Sequence, residues 1–276
     1  MVAAGPPSYD GPMAPPGGQL EGKVVLVSGG ASDIGRATAL RLAAAGAAVV
    51  IGDVSPDGAA SVAGEVKDAG GRAIGLLCDV RREDSVAAFV DRAVAEFGTV
   101  DAVDHNAAWS HPRLDTDAVE VDLGVWERAI EITTRGALLL ARQAIPVMAA
   151  GGGGSIVTIS SGTSTIGEST RVAYGVAKAA LNQLTRHLAV RYGRDGIRAN
   201  AIAPGLVRTD FARALWEDPA LYRKRTKDTP LQRIGEPDEI AGAAVFLASA
   251  AGNFTTGQTI VIDGGTTAGS VVSHDD

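Results

Sequence analysis

The chain has 276 residues, a formal net charge of −7 and a hydrophobic content of 46%. Its acidic balance argues against a nucleic-acid surface, which depends on clustered Lys and Arg. A lone Cys78 and four scattered His permit no intrachain disulfide, give no ligand set with metal spacing, and suit a reducing cytoplasm. No apolar run approaches the ~20 residues needed to span a bilayer, and no basic segment with an apolar core opens the chain, so neither a membrane span nor a signal peptide is expected. The length fits one α/β domain with an ample core.

Residues 1–19 are rich in Pro, Gly and Ala and have no periodicity; a flexible arm is expected. Lys23–Ser28 reads as the first strand, running into Gly29-Gly-Ala-Ser-Asp-Ile-Gly35 and a helix through Ala45. Strand, glycine turn and helix form the arrangement that seats a dinucleotide pyrophosphate on a helix N-terminus. Gly29 permits the tight turn and Gly35 close packing of the helix on the sheet. The second strand, Ala47–Asp53, ends in an acid 18 residues after Gly35. An acid there bonds adenosine ribose hydroxyls and repels a 2′-phosphate. Neither 31–33 nor 54–60 contains Arg or Lys, so the charge balance selects NAD over NADP. The plain alternative makes Asp53 a turn residue before Ser55-Pro56.

A helix at 56–69 and a strand at Ala73–Cys78 follow, the strand ending in Asp79-Val80. After a helix at 83–97 comes a strand from Val100 to Asn106. It places Asp104 and His105 at a buried strand end, where each is expected to find a hydrogen-bond partner. His105 is read as a satisfied structural histidine. The segment Trp109–Asp122 is expected to be a loop flanking the substrate, followed by one long helix at 123–149. The apolar run Ile156–Ser160 reads as a buried parallel strand.

Past a Gly/Thr/Ser-rich loop, a helix at 171–193 carries Tyr174-Gly-Val-Ala-Lys178. Residues four apart share a helix face, so the phenol and the ammonium reach one spot. A nearby ammonium favours the phenolate and brings an ordinarily inert phenol toward useful proton transfer. Ser161, 13 residues before Tyr174, sits at a strand end and can donate to the same substrate oxygen. A strand at Ile197–Ala203 then leads into Pro204-Gly205-Leu-Val-Arg-Thr209. Residues 210–230 concentrate Phe211, Leu215, Trp216, Leu221 and Tyr222. The basic run Arg223–Lys227 is read as a solvated face rather than an anion clamp.

Taken together, the strand, Ser161, Tyr174 and Lys178 with their spacing resemble the active site of the classical short-chain dehydrogenases/reductases. The resemblance spans about 20–265 and includes the C-terminal Thr256–Gly265 stretch. It implies a single Rossmann-type α/β domain, a doubly wound parallel sheet with helices on both faces, a substrate flap at about 208–230 and an irregular tail at 266–276. It implies hydride transfer between NAD and a secondary alcohol or ketone, with Ser161, Tyr174 and Lys178 catalytic. Gly29, Ser32, Asp33, Ile34, Asp53, Asp79, Val80, Asn106, Tyr174, Lys178, Pro204, Val207 and Thr209 would bind the cofactor. A homotetramer built on the helices at 123–149 and 171–193 is also implied.

Two departures from the family pattern stand out. Asp33 occupies the place of the middle glycine of the family's glycine motif, close to the pyrophosphate; helix N-capping is its plain explanation. Thr133 stands where the family has an Asn that completes a catalytic tetrad, and its hydroxyl is expected to bond back within its own helix. Both departures motivate a second reading, a dinucleotide-binding protein without turnover; a third is a 3-oxoacyl-thioester reductase, against which Asp53 speaks.

Overall fold

The computed structural model describes residues 18–111, 113–227 and 229–269. Most of the expected arm (1–17) and of the tail (270–276) lies outside the described residues. Seven strands form one sheet in the order β3-β2-β1-β4-β5-β6-β7, every pair parallel. They are β1 (Val24–Ser28), β2 (Ala48–Asp53), β3 (Arg72–Leu77), β4 (Ala102–His105), β5 (Gly154–Ile159), β6 (Ile197–Pro204) and β7 (Thr259–Ile262). The central strands are buried on both faces, which is why they read as continuous apolar runs rather than alternating ones.

Alternate residues of β1 divide between two cores. Val24 and Leu26 join the layer under α3 (Glu83–Phe97), α5 (Gly136–Ala150) and α6 (Val172–Tyr192). Val25 and Val27 join the layer under α1 (Asp33–Ala44) and α2 (Pro56–Asp68). α9 (Pro237–Ala248) covers β5 and β6 on that second side. Strand order reverses between β1 and β4, and in such sheets the ligand crevice opens beyond the carboxyl ends of the strands at that point.

The helix expected at 123–149 is not continuous. α4 (Leu123–Ala129) passes through a π turn at Ile130–Arg135 before α5 begins. There the Gly136 N–H reaches back five residues to the Glu131 carbonyl. The insertion is held from outside the helix: His105 Nε2 donates to the Thr133 carbonyl at 3.2 Å and Thr134 Oγ1 to the Ala177 carbonyl of α6 at 3.0 Å. Such single π turns concentrate at functional sites.

The described flap folds as a 3-10 turn at Asp210–Ala212, α7 (Arg213–Trp216) and α8 (Pro219–Lys227). Trp216 pins it by donating its indole N–H to the Thr209 carbonyl at 2.9 Å. Among the described residues no helix is long and apolar enough to cross a membrane.

Candidate active site

The carboxyl ends of the strands open into a cavity of about 880 Å³. Every residue singled out from the sequence as catalytic or cofactor-binding lines it. They fall at two ends.

At one end lies the N-terminus of α1. Gly29 is in the left-handed region at φ 71°, and a Cβ there would come within 2.7 Å of the Ala107 backbone nitrogen. A Cβ at Gly35 would come within 2.3 Å of the Gly29 carbonyl oxygen. Only glycine lets the turn, the helix and the Asn106 segment meet this closely. Asn106 Nδ2 locks them, donating to the Gly29 carbonyl at 3.1 Å and to Ser32 Oγ at 2.7 Å.

Ser32, not Asp33, caps the helix, its Oγ accepting from the Gly35 N–H at 3.3 Å. A helix leaves its first N–H groups without internal partners, and those of Asp33 and Ile34 remain at the cavity wall. The Asp33 carboxylate instead accepts the Asp210 N–H at 2.8 Å, which corrects the N-cap reading and ties α1 to the flap. Across the crevice, Asp53 accepts the N–H groups of Ala31 and Ser55, both at 3.0 Å. It shapes its turn and faces the cavity at once. The Asp79 carboxylate is bound by Arg81, which holds it below the usual carboxylate range. Cys78 also lines this end, but burial pushes its thiol up to about 12, followed by the charges of Asp79 and Asp53; it is no nucleophile.

At the other end stand Ser161, Tyr174 and Lys178. β5 delivers Ser161, whose Oγ accepts from the Thr163 N–H at 3.3 Å and the Thr163 hydroxyl at 3.0 Å. Its own proton is left to donate. Lys178 is buried and donates to the Ile159 carbonyl at 2.5 Å, so the end of β5 fixes both groups. Its ammonium lies 5.5 Å from the Tyr174 ring centre, and burial pulls its pKa down to about 7. The Tyr174 phenol is pushed up by burial, and what opposes this is the Arg171 charge followed by the Ser161 hydroxyl. The sequence reading assigned that role to Lys178. The Arg171 guanidinium stands as close to the ring centre as the Lys178 ammonium, both at 5.5 Å.

Behind Lys178 the structure differs from expectation twice. Thr133 Oγ1 is buried without a partner among the described residues, because the π turn commits the neighbouring Thr134, rather than Thr133, to a carbonyl bond. His105 is satisfied, as expected. Its Nε2 faces a carbonyl, which only accepts, so Nε2 carries the proton and Nδ1 accepts from the Ser28 hydroxyl at 2.9 Å. Burial, then the charge of Lys178, lowers its pKa to about 3; it is a neutral strut. Asp104, expected to be paired, has both carboxylate oxygens buried without a partner among the described residues. It points to the opposite layer from His105, among apolar side chains, and burial raises its pKa to about 7. Pro204 and Val207 line the cavity. Thr209 caps the 3-10 turn, accepting from the Ala212 N–H at 3.2 Å.

Two roles at this site carry no mark in the sequence, those of Asp115 and Arg171. Asp115 reaches α6 from the 109–122 loop (below). Trp109 and Phe211 line the substrate end, Phe211 with its ring 5.6 Å from Tyr174. Arg171 adopts φ 63°, a conformation uncommon outside glycine and one that clusters at functional sites. Trp109 falls in the loop expected beside the substrate, and Phe211 in the aromatic cluster of 210–230. The basic run is exposed on α8, as a solvated face should be, with Lys224 and Arg225 at the rim of the cavity.

A family model described as Enoyl-(Acyl carrier protein) reductase matches residues 29–267. The chain is 44% identical over 246 residues to a cis-4-hydroxycyclohexanecarboxylate dehydrogenase of Sinomonas cyclohexanicum, covering 89% of this chain and 97% of that protein. It is 33% identical to the 7alpha-hydroxysteroid dehydrogenase of Escherichia coli (strain K12), over 90% of this chain and 95% of the relative. A solved 7alpha-hydroxysteroid dehydrogenase, complexed with NADH and 7-oxo glycochenodeoxycholic acid, superposes with a TM-score of 0.86 at 33% identity, covering 92% of this chain and 98% of the other. The chain belongs to the classical short-chain dehydrogenase/reductase family and is an oxidoreductase of Rossmann type.

Proposed function

We propose that the protein oxidises a secondary alcohol on an alicyclic ring to the ketone, reversibly, with NAD, and that the substrate carries a carboxylate. The observation that carries the chemistry is the convergence of Ser161, Tyr174 and Lys178 on one end of the cavity whose other end holds Asp53. The cavity fits a dinucleotide: a glycine cradle closed to any Cβ, first-turn N–H groups for the pyrophosphate, and an acid where ribose hydroxyls would lie. Bound nicotinamide supplies the hydride acceptor.

The protein's own groups handle the proton. Ser161 donates to the substrate oxygen as charge develops on it, and Tyr174 takes the hydroxyl proton or returns it. The buried ammonium of Lys178 is held by the Ile159 carbonyl and would hold the nicotinamide ribose and favour the phenolate.

Two observations support a carboxylate-bearing ring. Arg128, Lys224 and Arg225 line the cavity without a carboxylate partner among the described residues. The Sinomonas relative acts on a hydroxycyclohexanecarboxylate. Incubation with NAD and a panel of cis-4-hydroxycyclohexanecarboxylate, cyclohexanol, a 7α-hydroxysteroid and a 3-hydroxyacyl thioester, following formation of reduced nicotinamide, tests the reading. The hydroxy acid is expected to have the highest kcat/KM. Absence of turnover would favour the silent binder, and a preference for the thioester would favour the acyl reading. We extend the proposal to a homotetramer on α5 and α6, where Leu138 and Val176 are exposed; sedimentation checks it.

A further inference from the structure

The helix that carries Tyr174 and Lys178 begins without a local cap. Arg171 precedes it in the left-handed region and makes no side-chain capping bond. Neither Ser169 nor Thr170, the nearby residues suited to capping, supplies one. The first-turn N–H groups are instead served by a segment almost sixty residues earlier. The Asp115 carboxylate, buried, accepts the Ala173 N–H at 2.9 Å through one oxygen and the Tyr174 N–H at 3.0 Å through the other. The backbone joins in: Arg171 N–H donates to the Asp115 carbonyl at 3.0 Å and Val172 N–H to the Thr116 carbonyl at 3.2 Å. Asp115 is itself anchored, accepting the Ser110 hydroxyl at 3.1 Å and donating its N–H to the His111 carbonyl at 3.1 Å.

We propose that Asp115 is a positioning residue for the reaction: a cap supplied in trans that fixes where the Tyr174 backbone, and so its phenol, stands relative to Ser161. Two independent features support this over a purely structural tie. The capped residues include the reacting tyrosine itself, so slack at this end is slack in the phenol. The donor segment also forms the substrate wall, since Trp109, next to Ser110, lines the cavity and packs against the cluster that joins Val125 and Ala129 to Ala173 and Ala177 of α6. The segment that meets the substrate thus holds the tyrosine, and a misplacement of an ångström is costly in catalysis.

The inference rests on Tyr174 being the proton-exchanging group, so its test has an arm independent of turnover. Amide hydrogen exchange of full-length Asp115→Ala and Asp115→Asn is expected to quicken at least tenfold at residues 172–174 in Asp115→Ala, with other helices unchanged. In the same variants kcat for the best hydroxy substrate is expected to fall ten- to hundredfold for Ala and less for Asn, which keeps one acceptor. The Kd for NAD should stay within twofold of wild type. Faster exchange with wild-type kcat would overturn positioning and leave a mere cap. A loss of kcat matched by weaker NAD binding or by slackening throughout the fold would reduce Asp115 to a stability residue. Should Asp115→Ala fail to fold, Asp115→Asn decides: kcat within a factor of two of wild type overturns the proposal. Absence of wild-type turnover on every substrate, with the exchange result intact, would fault the functional reading instead.

Discussion

Two helix N-termini meet the same cavity, α1 and α6, and they are finished in opposite ways. α1 is capped by its own Ser32, and the N–H groups of Asp33 and Ile34 are left at the cavity wall, where an anionic ligand can complete them. α6 is filled by a protein carboxylate, Asp115, which occupies the N–H groups of Ala173 and Tyr174. An end left open binds; an end closed by the protein orients. Affinity for the cofactor should therefore track changes at α1, and turnover should track changes at α6.

The sharpest separation is Tyr174→Phe. It removes the proton-exchanging group and leaves α1 untouched, so turnover should fall by about two to four decades, the range for a lost general acid/base, while NAD still binds. Near wild-type kcat would place the chemistry elsewhere.

A control lies away from both ends, in Asp104. Its folded pKa, about 7, is above the ordinary carboxyl value of about 3.9, so the unfolded chain gives up this proton first as pH rises. Below about pH 4 the group is protonated in both states and costs nothing through ionisation. Stability then falls as pH rises toward 7, and levels once the folded carboxyl has ionised. Asp104→Val should abolish that decline and stabilise the protein at pH 8 by roughly 1–3 kcal/mol, the scale of an unsatisfied buried polar group. Urea midpoints measured against pH check it, with kcat and the Kd for NAD expected to stay level.

Asp53→Ala removes the charge that faces the cavity together with the turn bonds to Ala31 and Ser55. The wild type is expected to favour NAD over NADP by at least about tenfold, about 1.4 kcal/mol, and the variant should narrow the gap. Equal dissociation constants in the wild type would remove Asp53 from cofactor choice. The smallest effect belongs to Asp33→Gly. It removes a negative charge beside the open N–H groups and unties Asp210, so NAD should bind about twofold to fivefold tighter, within about 1 kcal/mol. KM for the alcohol should rise as the flap loosens, and weaker NAD binding would show that the tie to the flap outweighs the charge.

The sequence alone determined what depends on short-range pattern. Apolar runs between glycine turns marked the parallel strands, because strands buried on both faces need no alternation. Gly29 and Gly35 marked the α1 turn, because no other residue survives the approach of Ala107 and the Gly29 carbonyl. Tyr174 and Lys178 were legible because a helix sets residues four apart on one face. Tertiary structure decided the rest. Asp115 as a cap could not be read, since its partners lie 58 and 59 residues away and only the folded loop brings them together. The π turn at Thr133 had no local marker either, being held by His105 and α6. Asp33 left its expected capping role because the flap presented an N–H to it. The states of Tyr174, Lys178 and Asp104 turn on burial. Desolvation belongs to everything packed around a group, and no local stretch of sequence specifies that.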